Sequence, residues 1–283
     1  NQSIHSCSYQ SNLAKVLIPA MFSFDSNALT ARLNTRLLGH PLTYLNSVAS
    51  TQEVVRMAAR EGAAEGLAVV AGQQTAGKGR AGRSWWSPPS GGLYLSLLLR
   101  PKLPGDLVAW TVMALSLGAA EAIEQVCGLH VEIKWPNDLQ YQGRKLAGVL
   151  AEGAFTGQRL DYVIAGIGLN VTVDFTDQPE LAQSAISLHQ AAGRPLDPAE
   201  LLAALLERTE AHYLLMQAGH SPLADWQARL HTLGRPVVAH LAGGRTLAGV
   251  ASAVLPDGGL RIDLEAGGSE VVWASDVTLR EQA

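Results

Sequence analysis

The stretch Gln73–Gly92, rich in glycine and broken by Pro88 and Pro89, lies between two apolar runs that read as strands, Leu67–Gly72 and Leu93–Arg100. No other feature limits the fold as strongly. Gly72 through Lys78 matches G-x-x-x-x-G-K, but Gly79 stands where a P-loop needs serine or threonine. No helix can follow through Trp85-Trp86-Ser87-Pro88-Pro89. Gly77 through Gly82 matches G-x-G-x-x-G, and the same prolines prevent the helix that a dinucleotide-binding turn must open. What remains is a compliant backbone carrying Lys78, Arg80 and Arg83. These donors suit a phosphate or a carboxylate, and equally fit a solvated basic loop.

Composition narrows the class. The 283 residues allow one or two domains, and 47 % hydrophobic content allows a sizeable core. A net charge of −4 argues against a broad basic face, so no nucleic-acid partner is expected. Cys7 and Cys127 lie far apart and share no spacing with histidine, and the histidines form no HExxH pair. Neither a disulfide framework nor a protein-held metal site is expected. The apolar run Leu13–Phe22 is too short to span a bilayer and lacks the marks of a signal peptide. The expectation is a cytoplasmic chain with no membrane partner.

Ser50-Thr51-Gln52-Glu53 reads as a capping box opening a helix that ends at Gly62. A second helix is expected from Asp106 to Gly128, then strands at Val131–Trp135, Arg144–Glu152 and Leu160–Asn170. Asp197-Pro198-Ala199-Glu200 opens a helix to Gln217, and Ser221-Pro222 another that ends near Gly234. From Arg235 onward, short apolar alternations divided by glycine pairs indicate a small all-β module. The domain reading is an N-terminal extension over 1–43, a main domain over 44–233 and a β domain over 234–283. Lys134-Trp135-Pro136-Asn137-Asp138-Leu139 sets an amide beside a carboxylate, and Lys145 follows across the Gln142-Gly143 turn. From position alone, Lys145 and Asp138 are either a buried ion pair or a catalytic electrostatic group.

Gly77-Lys78-Gly79-Arg80-Ala81-Gly82-Arg83-Ser84-Trp85 resembles the G-R-G-R-x-G-R-x-W loop of biotin–protein ligases, and Lys134–Leu139 resembles their K-W-P-N-D-L signature. Arg144–Leu150 and Gly166–Asn170 are similar to the two segments that follow, in the same order. The resemblance runs from about Tyr44 to Asn170. It implies an α+β catalytic domain, a mixed sheet with helices on one face, followed by an SH3-like β domain. It implies ATP and biotin as substrates, with Mg2+, and a biotin carboxyl carrier domain of acetyl-CoA or a related carboxylase as acceptor. Homodimers are common in the family. With few residues ahead of Tyr44 and no basic recognition helix there, the expectation is a ligase without a DNA-binding domain. Other readings are a biotin sensor without activity and a lipoate or octanoate ligase.

Residue roles follow by the same match. Ser50, Thr51 and Gln74 would meet biotin's ureido ring, and Gln52 is among the residues expected to bind the substrates. Gly77, Lys78, Gly79, Arg80 and Arg83 would form the anion-binding loop, with Lys78 and Arg80 on the carboxylate and α-phosphate. Trp85 would pack against biotin or adenine, Tyr94 and Leu150 would help line the apolar side, and Gly148 and Gly168 would sit at the site or simply allow close backbone approach. Asn137 and Asn170 would contact adenine or phosphate. Lys145, Arg80 and Asp138 would carry catalysis, with Asp138 open between orienting Lys145, holding magnesium and assisting the incoming amine. Lys78 departs from the family pattern, which usually has arginine there; lysine keeps the charge and loses the bidentate fork.

Overall fold

The computed structural model describes residues 29–89, 91–241, 244–274 and 277–281. The main sheet has seven strands: β1 (Leu42–Leu45), β2 (Ala68–Ala71), β3 (Gly92–Leu99), β4 (Glu132–Lys134), β5 (Asp138–Tyr141), β6 (Arg144–Thr156) and β7 (Arg159–Asn170). Their order is β1-β2-β3-β7-β6-β5-β4. β1 and β2 run parallel and all other neighbours antiparallel. The helices are α1 (Thr51–Arg60), α2 (Ala109–Cys127), α3 (Pro179–Ala182), α4 (Leu188–Ala192), α5 (Pro198–Gln217) and α6 (Leu223–Ala228).

The two faces of the sheet differ because side chains alternate along each strand. Leu93, Leu95, Leu97 and Leu99 of β3 join Val163, Ala165, Ile167 and Leu169 of β7 in the main core, under α2 and α5. Leu98 and Ile164 point the other way and meet Val55 and Ala59 of α1. The expected single helical face therefore holds for the two long helices, while α1 covers one end of the opposite face. Further along that face Ser96 pairs with Gly166 and Tyr94 with Gly168, so small residues leave a hollow.

Helix α2 is long and apolar enough by composition to cross a bilayer, but most of it is buried against the sheet and α5. Gly118 lets α5 approach; a Cβ there would stand 2.6 Å from the Thr209 backbone nitrogen. Gly128 ends α2 in the left-handed region at φ 71°. Asp197 caps α5 as expected, accepting from Ala199 N at 2.9 Å. The last helix is shorter than the expected run to Gly234, ending at Ala228.

The core extends ahead of the expected boundary at 44. Leu29 and Leu38 are buried in it, and Glu210 of α5 accepts the N–H groups of Arg36, Leu37 and Leu38 at 2.7, 2.8 and 2.7 Å. Two strands escaped the sequence reading: β1, too short for a pattern, and β5, which opens directly after Asn137.

A second, antiparallel sheet matches the expected SH3-like module. It comprises β8 (Pro236–Leu241), β9 (Thr246–Val254), β10 (Leu260–Leu264), β11 (Ser269–Val272) and β12 (Val277–Glu281), in the order β11-β10-β9-β8-β12. Its Val237, Ala239, Ala251 and Ile262 share a core with Met113, Ile133, Trp135 and Trp226. Two indoles tie it to the main domain: Trp110 of α2 donates to the Pro256 carbonyl at 2.9 Å and Trp135, just after β4, to the Gly258 carbonyl at 3.0 Å. Trp135 is thus a core and docking residue, as its size suggests.

Candidate active site

The hollow is roofed by the Gly-rich loop to form a cavity of about 990 Å³, at the upper end of what small ligands occupy. Fifteen of the expected residues line it: Thr51, Gln52, Gln74, Lys78, Gly79, Arg80, Arg83, Trp85, Asn137, Asp138, Lys145, Gly148, Leu150, Gly168 and Asn170.

Its inner end is polar and neutral. Gln74 Oε1 accepts from Thr51 N at 2.8 Å and Thr51 Oγ1 at 3.1 Å, and Thr51 Oγ1 shares a 2.8 Å hydrogen bond with Ser96 Oγ. Gln74 Nε2 donates to Ser87 Oγ at 3.2 Å, and Gln52 Nε2 to the Leu150 carbonyl at 3.1 Å. Ser50 occupies the N-cap position, yet its side chain makes no capping bond, contrary to the capping-box reading. Ser50 Oγ, Gln52 Oε1 and Trp85 Nε1 are buried without a partner. Buried polar atoms left unpaired are costly, and the two on cavity-lining residues, Gln52 and Trp85, suit an amide-like guest.

Trp85 forms one wall. A Cβ on Gly168 would stand 2.5 Å from its Nε1 and Cε2, and one on Gly148 3.0 Å from its Cζ3. Both glycines are therefore required by the indole's approach to the sheet. Lys145 Nζ lies 5.1 Å from the Trp85 ring centroid and 2.6 Å from Asp138 Oδ1. The two-residue turn Gln142-Gly143, with φ 51° and 74°, returns the chain so that β5 and β6 set these side chains together. Lys145 is braced by its backbone: its N donates to the Ser184 carbonyl at 2.8 Å, and its carbonyl accepts from Ile186 N at 3.0 Å and Asn170 Nδ2 at 3.3 Å. Asn170, nearly buried and on the cavity lining, acts as that brace.

The loop's cations separate. Arg80 Nη1 donates to Asn137 Oδ1 at 3.1 Å, and Asn137 Nδ2 donates to the Val149 carbonyl at 2.6 Å. Burial and the nearby Arg83 push the Arg80 pKa down, opposed by Asp138. Arg83 stays exposed, its Nε donating to the Arg80 carbonyl at 3.3 Å. Lys78 lines the cavity and pairs with Glu53 of α1. Ser50, Gly77 and Tyr94 do not line the cavity. Tyr94 is buried and donates to the Pro88 carbonyl at 3.3 Å, so it supports the loop from beneath. Gly77 allows a crossing, since a Cβ there would meet the Trp85 carbonyl at 2.5 Å.

Glu53, unforeseen as a site neighbour, also holds Arg56 at 2.5 Å, and Arg56 reaches Glu152 of β6 at 2.5 Å. Hydrogen bonds from Arg56 first, then Lys78, lower the Glu53 pKa to about 2. A lowered pKa in the folded chain means the contact is intact above the usual carboxylate range and is lost as pH falls toward about 2. A carboxyl titration followed by NMR is expected to place Glu53 near that value; a midpoint in the ordinary range would contradict the pairing. The side chains are half exposed, so the stability gain is small. Ser96 was also missed, although a serine inside an apolar strand was a signal for it. Trp86, Phe175, Leu181 and Ala185 form an apolar outer end, with the Trp86 and Phe175 rings 5.8 Å apart.

A mixed sheet with a roofed cleft, neutral and amide-seeking at one end and cationic at the other, defines a domain that brings a small acid to a second anion. A family profile described as the biotin/lipoate A/B protein ligase family matches residues 44–170. The bifunctional ligase/repressor BirA of Bacillus subtilis is 34 % identical over 250 residues, 87 % of this chain and 76 % of that protein. The biotin–[acetyl-CoA-carboxylase] ligase of Mycobacterium tuberculosis is 33 % identical over 218 residues, 75 % of this chain and 79 % of that protein. The solved structure of Aquifex aeolicus biotin protein ligase, in complex with biotin and ATP, is similar at a TM-score of 0.72 and 31 % identity, covering 85 % of this chain and 99 % of that one. This chain belongs to the biotin/lipoate A/B protein ligase family.

Proposed function

We infer that the chain is a biotin protein ligase: it activates biotin with ATP to biotinyl-5′-AMP and transfers biotin to a lysine of an acceptor protein. The observation that carries this is the pair of unpaired buried atoms, Gln52 Oε1 and Trp85 Nε1, on residues lining a cavity that also carries Lys145 and Arg80. A ureido ring needs both donors and acceptors. A site built to pair them rejects an aliphatic acid that leaves them unpaired, which favours biotin over lipoate or octanoate.

In the first step a carboxylate oxygen of biotin attacks the α-phosphorus of ATP and pyrophosphate leaves. Both reactants are anions. Lys145 and Arg80 lower their repulsion and fix the approach, so positioning and charge neutralisation carry the rate. Asp138 orients the Lys145 ammonium from 2.6 Å. Asp138 and Glu180 are the carboxylates on the cavity wall, and among the described residues no group of three metal-ligating side chains gathers. Those donors fit a Mg2+ that enters on the phosphates of ATP, as part of that substrate. The apolar outer end with Trp86 and Phe175 suits the purine. In the second step the acceptor amine attacks the acyl carbon and AMP leaves.

The acceptor we propose is a biotin carboxyl carrier domain of acetyl-CoA carboxylase or a related carboxylase, in the cytoplasm. Incubation of the chain with such a domain, biotin and ATP is expected to add one biotin at a single lysine, read by intact mass. No mass change on the carrier domain would reject that acceptor. Gly168→Ala is expected to weaken biotin binding by about tenfold in calorimetric titration, because its methyl displaces Trp85. Gly148→Ala, with more room, is expected to cost less; equal affinities for all three proteins would refute the seating of Trp85.

A further inference from the structure

Arg80 is held by groups from both sheets. Asn137 of the main domain accepts from its Nη1, and the Ala274 carbonyl, just after β11, accepts from its Nη2. The backbone at Ala274 is fixed through the preceding residue. Trp273 Nε1 donates to Asp257 Oδ2 at 2.9 Å, and its indole lies over Gly259, where a Cβ would stand 3.0 Å from Nε1. Asp257 Oδ1 accepts from Gly259 N at 3.0 Å, so one carboxylate holds both the turn and the indole. That turn is the one gripped by Trp110 and Trp135. Trp135 sits in the same short segment as Asn137, so the path from Asn137 through the small sheet to Arg80 closes on itself.

We propose that Asp257 and Trp273 are positioning residues for Arg80 in adenylate formation, acting through the Ala274 carbonyl. The proposal rests on the ligase reading of the cleft. Trp273 is 43 % exposed, so core packing explains it poorly; its polar end is what is tied down. Arg80 loses hydration by burial and faces the Arg83 charge, and the carbonyl supplies a partner that holds the guanidinium in that setting. Its remaining N–H groups are left for the reacting anions.

The test is a double-mutant cycle in the full chain. Trp273→Phe keeps the ring and removes the N–H, Asp257→Ala removes the acceptor, and Asp257→Asn keeps one acceptor oxygen. Biotin-dependent exchange of pyrophosphate into ATP is measured for each, alone and with Arg80→Met. Trp273→Phe and Asp257→Ala are expected to lower kcat on the order of tenfold with little change in KM for biotin. Asp257→Asn, with one acceptor oxygen for two N–H donors, is expected to recover only part of that loss. Neither change is expected to lower further the residual rate of Arg80→Met. An equal loss in both backgrounds, or no loss in either, would overturn the proposal. Should the unsubstituted chain show no exchange, the ligase reading fails by itself and trypsin decides the positioning. Cutting after Arg80 several-fold faster in Trp273→Phe than in the unsubstituted chain supports it, and equal rates overturn it.

Discussion

Replacing Lys145 with Met is expected to lower the rate of biotinyl-adenylate formation on the order of 10²–10³-fold, the usual cost of removing one preorganised group from developing charge. Lys145 is preorganised in three ways. Its backbone is bonded to Ser184 and Ile186, its ammonium is held by Asp138 at 2.6 Å, and its position over the Trp85 ring excludes water from one side. The side chain is 32 % exposed, so little stability is lost with it and thermal unfolding should stay near that of the parent. The loss should appear in kcat, since the ammonium meets two anions only when they converge. A variant within a few-fold of the parent would remove Lys145 from the mechanism.

Glu210→Ala is expected to destabilise the fold by about 1–3 kcal/mol, the range for leaving a buried donor without its acceptor. The carboxylate is nearly buried and accepts three consecutive backbone N–H groups, those of Arg36, Leu37 and Leu38. Without it the N–H of the buried Leu38 loses its acceptor, while Arg36 at the exposed end can turn to water. Glu210→Gln keeps one acceptor oxygen and should retain part of the stability. Urea unfolding checks both; a change under about 1 kcal/mol for Glu210→Ala would show that water replaces the carboxylate at no cost.

What the sequence discloses and what it conceals follow from range. Gly128 and Asp197 mark helix ends because caps act within a turn. Lys145 and Asp138 meet because a two-residue turn joins their strands, and that turn is written in Gln142-Gly143. The loop Gln73–Gly92 announces itself by composition, and the residues it carries do reach the cleft. Ser50 misled in one respect: its cap position is local, yet its buried Oγ makes no capping bond in the folded chain. Glu53 reads as the acid of a capping box, and only the folded loop brings Lys78 to it. The Arg80–Ala274 contact joins residues from different sheets, and Glu210 acts on a segment far upstream. Neither leaves any periodic or spacing signal, since both arise from how the elements pack.

The most direct test of the whole account is exchange of pyrophosphate into ATP with no acceptor present, run with biotin, lipoate and octanoate in parallel. The account predicts exchange that depends on biotin and is absent with the other two acids. Exchange driven by lipoate or octanoate, or no exchange with any acid despite tight biotin binding, would contradict it.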